Sequence, residues 1–256
     1  MRQLVGVDGC KAGWVAVSGS RSADLSAAVY SDFEELMAAM GEGAIVAIDM
    51  PIGLPERIDG SGRVAEQAVR SLLGARQSSV FTIPARAAVE LGVRMTGRTG
   101  DDYPLHQKAS ALAKTLSDPP KGVSIQAFYL FPKILEVDTY LRDNPEAVSR
   151  VFESHPEVAF RALNDDRPMA LPKKIKGKVN QAGMAERREL LTRHGLDAAS
   201  NAPFLHGPAP RGAGLDDVMD ASVCWLIAQR IAGGLARPYP DPPGRDAHGL
   251  PIAIWA

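Results

Sequence analysis

Three acidic side chains stand at the ends of short apolar runs. Asp8 closes Leu4 to Val7, Asp49 closes Ala44 to Ile48, and Glu153 follows Val151-Phe152. In open α/β sheets, ligands and catalytic groups gather at the carboxyl ends of strands. If the first two runs are parallel neighbours, the Cα atoms of Asp8 and Asp49 lie about 5 Å apart. Carboxylates that close repel, so a cation or a proton must sit between them. Further along, Asp217 and Asp220 are three residues apart in an apolar segment and share one face of a helix. That stripe continues through Ala221, Cys224, Ile227, Ala228 and Ile231, so the acids extend an apolar face, with Asp216 beside it. A set of inward carboxylates is the donor set that Mg²⁺ or Mn²⁺ prefers. A pair of such ions activates water and stabilises the attacking and leaving oxygens of a phosphodiester. This chemistry needs no imidazole, which suits a chain with 5 scattered histidines.

Each acid also has an ordinary structural use. Asp8 before Gly9 and Asp49 before Met50-Pro51 are natural turn residues, and Glu153 can cap whatever follows His155-Pro156. Asp216 and Asp217 suit the first turn of a helix, where the macrodipole favours negative charge. Asp220 lies beyond that turn. The joint pattern says more than any member of it.

Candidate phosphate-binding groups lie elsewhere. Arg63, Arg70, Arg76 and Arg86 share a segment with Ser78, Ser79 and Phe81. Arg76 with Ser79 is the pair expected to hold a phosphate; surface ion pairing is the alternative. Lys173, Lys174, Lys176 and Lys178 form the basic run, with Lys174 and Lys176 as candidate backbone contacts and a solvated loop as the plainer reading. His155, between Glu153 and Glu157, is placed to assist proton transfer or simply to pack. Trp14, Trp225 and Trp255 read as core.

The elements that must position these groups follow from periodicity. Runs at Leu4 to Val7, Trp14 to Val17 and Leu25 to Tyr30, with short Gly- and Ser-bearing gaps, predict two hairpins. Phe33 to Met40 is helical in pattern. Ala44 to Ile48 is apolar without alternation, as in a strand buried on both faces. The order strand, strand, strand, helix, strand opens a mixed five-stranded sheet in which the fourth strand runs parallel to an earlier one. Residues 56–135 read as a largely helical insertion, a cap or lid within a single domain spanning 1–256. A fifth strand is expected near 148–153, then helices over Gln181 to His194 and Asp216 to Ala232, the latter ended by Gly233-Gly234. Phe128 to Tyr140 reads as a helix started or interrupted at Pro132. The Pro-rich stretch from Arg237 to Gly249 reads as loop, and Ile252 to Trp255 as an edge strand.

Composition sets the limits. Apolar residues at 45% and charged residues at 23% are ordinary for a globular chain. A net charge of -1 argues against a dedicated duplex-binding scaffold, which is usually strongly basic. Two cysteines, Cys10 and Cys224, exclude a disulfide framework and predict a reducing, cytoplasmic setting. No apolar stretch approaches the roughly 18 residues of a membrane span, and the start of the chain lacks a signal-peptide core.

The opening Val5-Gly6-Val7-Asp8-Gly9-Cys10-Lys11-Ala12-Gly13-Trp14 resembles the first strand pair of ribonuclease H-like proteins. More specific are Ala47-Ile48-Asp49-Met50-Pro51-Ile52-Gly53-Leu54-Pro55, Arg76-Gln77-Ser78-Ser79-Val80-Phe81, Glu153-Ser154-His155-Pro156-Glu157 and Asp216-Asp217-Val218-Met219-Asp220-Ala221. Together they resemble domain-of-unknown-function family 429, regarded as predicted ribonuclease H-like nucleases related to Holliday-junction resolvases. The resemblance runs from residue 5 to about residue 235. It implies an α/β ribonuclease H-like fold, Asp8, Asp49, Glu153 and an acid within 217–220 as Mg²⁺ or Mn²⁺ ligands, and a nucleic-acid or small phosphodiester substrate. Fold alone does not settle function. A phosphotransferase of the actin and sugar-kinase type shares this strand order and would use Gly-rich loops, for which Gly9, Gly13 and the cluster Gly207, Gly212 and Gly214 are candidates. A catalytically silent binding protein with structural acids is the third expectation.

Overall fold

A computed structural model describes residues 2–94, 103–175, 177–197 and 199–256. Strands β1 (Leu4–Cys10), β2 (Gly13–Gly19) and β3 (Ser26–Tyr30) lead into α1 (Phe33–Ala39) and β4 (Ile45–Asp49). Next come β5 (Ile58–Asp59), α2 (Val64–Arg70), a 3-10 segment (Ser71–Ser79), α3 (Arg86–Arg94), α4 (Tyr103–Thr115), β6 (Ser117–Asp118) and α5 (Ile125–Asp143). The remainder holds β7 (Val151–Glu153), α6 (Pro156–Leu163), β8 (Lys174–Ile175), β9 (Lys178–Val179), α7 (Gln181–Arg193), α8 (Leu215–Ala232), β10 (Pro238–Arg245) and β11 (Pro251–Trp255).

The main sheet has the order β3-β2-β1-β4-β7. β2 pairs antiparallel with both β1 and β3, whereas β1–β4 and β4–β7 are parallel. This is the mixed α/β, ribonuclease H-like arrangement expected from the strand pattern. Alternation along the strands sorts the core into two layers. Val5, Val7, Val46 and Ile48 enter one cluster with Phe33, Leu36, Phe131 and Ile134 of α1 and α5. Leu4, Cys10, Ile45 and Ala47 enter the other with α6, α7 and α8. Every residue of β4 except the terminal Asp49 is buried, which explains its unbroken apolar sequence.

Four local expectations change. The stretch from Arg237 to Gly249 is not simply loop: β10 occupies Pro238–Arg245 and pairs with β11 across a register shift between Tyr239 and Gly244. Its prolines lie in a two-stranded sheet outside the main one, where missing amide donors matter least. Ile252 to Trp255 therefore joins that pair rather than the edge of the main sheet. Helix α5 neither starts nor breaks at Pro132 but passes through it, capped at its start by Ser124, whose Oγ accepts the Ala127 amide at 3.1 Å. Finally, Pro156–Leu163 forms a helix that the apolar pattern alone does not mark. His155 is its N-cap and Pro156 fills the first turn, where a missing amide costs nothing.

The insertion over 56–135 is mainly helical in its described residues, as expected, with β5 and β6 pairing in parallel within it. Part of its Gly- and Asp-rich middle, residues 95–102, lies outside the described residues. A buried ion-pair set ties the insertion to the chain's end. Arg86 donates to both oxygens of Asp138 at 2.7 Å and to Asp246 Oδ2 at 2.9 Å. Among the described residues, no helix is long and apolar enough to cross a membrane.

Candidate active site at the carboxyl ends of β1 and β4

The parallel register sets Asp8 directly beside Asp49. Both follow the parity of Leu4, Ile45 and Ala47, so both side chains leave the sheet on the α8 face. Helix α8 crosses that face with almost no gap. A Cβ added to Gly6 would lie 2.0 Å from the Ala221 carbonyl oxygen and 2.1 Å from the Trp225 amide nitrogen. Glycine at position 6 thus permits backbone contact, and Asp220, one residue before Ala221, is carried over Asp8. Carboxylate oxygens of Asp8, Asp49 and Asp220 lie within 4.8 Å of one another.

Electrostatics show what the cluster lacks. Burial and then the neighbouring Asp49 push Asp8 well above the usual carboxylate range, against an opposing pull from Lys173. Burial likewise raises Asp49, with His155 and Lys173 opposing it and Glu153 and Glu157 adding to it. Lys173 Nζ bonds Asp220 Oδ2. The other oxygen, Asp220 Oδ1, is buried and has no hydrogen-bond partner among the described residues. One ammonium, bonded to Asp220 and acting on Asp8 and Asp49 only through space, leaves the three close carboxylates short of positive charge. Hard oxygen donors, proton-retaining acids and an orphaned buried oxygen together fit a small divalent cation. Asp8, Asp49 and Asp220 are the residues that would hold it.

Asp217 and Glu153 are placed differently. Asp217 Oδ2 accepts the Gly214 amide at 2.8 Å and so closes the first turn of α8. Burial raises its pKa, and it adds to the rise at Asp8. It borders the cluster without joining the three-oxygen group. Asp216 pairs with Lys174, which outweighs burial and lowers its pKa. Glu153 has the parity of Val151 and faces the opposite layer of the sheet. There Arg63 donates to it twice, at 2.7 and 3.1 Å, and the Ile52 amide bonds it at 2.8 Å. Its proximity in sequence pattern to the other acids therefore reflects a shared sheet end, whereas its bonds are those of a structural anchor. Arg63, in turn, donates to Glu66 at 2.8 Å and to the Ile52 carbonyl at 2.8 Å, pinning the loop after β4.

The candidate phosphate ligands do converge. A cavity of about 320 Å³ is walled by Asp49, Arg76, Ser79, His155, Lys173 and Lys174. Ser79 Oγ donates to the Arg76 carbonyl at 2.8 Å, and Arg76 Nε is buried without a hydrogen-bond partner among the described residues. Lys176 lies outside the described residues. A second cavity, of about 220 Å³, shares Asp49, Ser79, Phe81 and His155 with the first and opens toward Asp8 and Lys133.

Two lysines matter more than their sequence setting indicates. Lys173 belongs to a run whose plainer reading is a solvated loop, and only tertiary folding brings it to Asp220. Lys133 lies within the apolar pattern of α5, and no sequence signal marks it. It donates to the Gly13 carbonyl at 2.5 Å, sits 4.4 Å from the Trp14 ring centroid, and burial lowers its pKa. The glycine cluster near α8 has a structural use: the Gly212 carbonyl accepts the Ala12 amide at 3.2 Å, tying that loop to the β1–β2 turn. Cys10 and Cys224 are both buried and free.

A family model described as protein of unknown function (DUF429) matches residues 6–245. No curated protein and no solved structure matches the chain significantly. The chain belongs to the DUF429 family.

Proposed function

We propose that this protein is a divalent-metal-dependent phosphodiester hydrolase, a nuclease in the broad sense, that uses Mg²⁺ or Mn²⁺. The observation that carries the reading is the carboxylate cluster of Asp8, Asp49 and Asp220, with Asp220 Oδ1 buried and without a hydrogen-bond partner among the described residues. Bound metal supplies Lewis-acid polarisation of the phosphate and a water of lowered pKa. The chain's own groups do the rest. Arg76, Lys173 and Lys174 neutralise the non-bridging oxygens of a phosphate in the adjoining cavity. His155, next to Asp49, carries a buried Nδ1 with no partner among the described residues, and exchanges the proton that the departing oxygen needs. Two free, buried cysteines accord with a reducing compartment, and we place the protein in the cytoplasm.

The test is a Mn²⁺ titration of wild type, Asp8→Asn and Asp220→Asn followed by thermal unfolding, with cleavage of short oligonucleotides in parallel. Ligand at a hundredfold its Kd stabilises by about 2.7 kcal/mol. The wild type is expected to show that stabilisation and Mn²⁺-dependent cleavage, and both variants to lose them. No response of the wild type at millimolar Mn²⁺ defeats the proposal. Stabilisation by ATP without cleavage would favour the phosphotransferase instead.

A further inference from the structure

The two cavities that share Asp49, Ser79, Phe81 and His155 differ in chemistry. The one holding Arg76, Lys173 and Lys174 carries three basic side chains against the acids Asp49 and Glu157, and we call it the cationic cavity. The other is lined by the apolar side chains of Met50, Val80, Ile83, Leu130 and Ile254 together with Asp8, Asp49, Lys133 and the mutually bonded Arg63, Glu66 and Glu153. Its lining also includes two aromatic side chains that folding leaves in water, Tyr129 at 62% and Phe81 at 38% exposure. Neither is needed to fill the core.

We infer that the apolar cavity takes a single unpaired nucleobase, while the cationic cavity takes the adjoining phosphate. This rests on the hydrolase reading and names its substrate class: a nucleotide unit whose base is free of a pairing partner. Volume decides between occupants. A cavity of about 150 Å³ accommodates benzene, so about 220 Å³ holds one base ring system and is too small for a base pair. A base in this cavity has Tyr129 and Phe81 as stacking surfaces, an interaction that tolerates any base because each has a π-face. Asp49, at the shared wall, and Asp8 beside it then face the linkage between base-bearing sugar and phosphate. A duplex could satisfy this geometry only by expelling a nucleotide from its stack, which costs a few kcal/mol.

The probe is a trinucleotide carrying 2-aminopurine, titrated with the full-length protein in Ca²⁺ and read by base fluorescence. Competitors are the unlabelled trinucleotide, its fully abasic counterpart, a nucleoside 5′-monophosphate and a blunt duplex. The unlabelled trinucleotide should compete at least about tenfold better than the abasic one or the duplex, a margin within the reach of one stacked base. Competition by the monophosphate would identify the free nucleotide as sufficient; competition by the trinucleotide alone would assign a strand, and either supports the inference. Tyr129→Ala should weaken binding on the order of tenfold and Tyr129→Phe should retain it. Both variants alter an exposed residue and keep the fold. Equal competition by the abasic trinucleotide or the duplex overturns the inference. Mn²⁺-dependent cleavage in that same case would leave the hydrolase reading standing, whereas base discrimination without cleavage would keep the nucleobase site and remove the hydrolase.

Discussion

Lys173 is the residue whose charge both helps and hinders the site. Bonded to Asp220, it partly neutralises the carboxylates and lowers Asp8 and Asp49 toward ionisation. A divalent ion brought to the same oxygens would meet its repulsion. At an effective dielectric near 20, unit charges about 4 Å apart interact by about 4 kcal/mol, and the lysine, whose side chain is part-exposed, has room toward water to relieve part of that. Lys173→Met is therefore expected to raise Mn²⁺ affinity several-fold, read by calorimetry, while lowering cleavage because a phosphate contact is gone. Unchanged Mn²⁺ affinity would separate Lys173 from the metal site. The acids make a second forecast, for metal-free protein. Asp8 and Asp49 are raised in the fold, so between the ordinary carboxylate range and their folded values the native state binds more protons than the unfolded chain. Stability must then fall as pH rises through that window. Asp8→Asn removes a share of that loss. In the presence of chelator it should be the more stable protein at neutral pH, with its advantage shrinking toward about pH 4, where unfolded carboxylates titrate. Urea unfolding at a series of pH values checks the sign.

At the scale of elements, two contacts position the site, and each has its own predicted failure. The β1–α8 contact depends on Gly6, where any side chain meets helix backbone at about the length of a covalent bond plus a fraction. Overpacking a core usually costs about 1–3 kcal/mol. Here the obstacle is backbone, so Gly6→Ala is expected to cost at least about 3 kcal/mol and to shift Asp220 away from Asp8. Loss of Mn²⁺ stabilisation should accompany the fall in Tm; retention would show that α8 relaxes without disturbing the carboxylates. The second contact is the Arg63–Glu153–Glu66 set. Removing one partner of a buried pair costs about 3–5 kcal/mol, so Arg63→Ala should lower urea stability by that order and Glu153→Gln by less, since the amide still accepts the Ile52 amide hydrogen. These elements also show what sequence can convey. β1 and β4 were legible because their apolar runs end cleanly at acids, and parallel pairing then forces Asp8 against Asp49. The position of α8 was legible from its length and its Gly-Gly end. Its inward face was less so, because residues 218–228 are buried all round and every direction is inward. The layer of Glu153 was not legible because β7 has only three residues, too few for alternation to show that its side chain leaves the sheet opposite to Asp8 and Asp49. β10 was hidden by prolines, whose ordinary message is loop.

At the scale of the whole molecule, 29 basic and 30 acidic side chains nearly cancel, so attraction of a polyanion has to be local. Arg76, Lys173 and Lys174 surround one cavity. Lys174 is already paired with Asp216, and Lys173 with Asp220. A polyanion arriving there displaces part of that pairing rather than meeting free cations. Counterion release for single strands scales as about −0.7 per neutralised phosphate charge. Three such contacts set the slope of log K against log salt at about −2, far shallower than the slope of about −10 of a large operator-binding protein. Lys174→Gln should flatten that slope by about 0.7 and weaken binding by a similar factor for every base sequence, because a phosphate contact carries no sequence information. Tyr129→Ala, in contrast, should weaken binding with no change of slope, since stacking releases no ions. The pair of measurements thus separates the cationic cavity from the apolar one in a single titration series. A slope much steeper than −2 would mean that the strand extends over cations beyond these three, along a path that the near-neutral surface does not foretell.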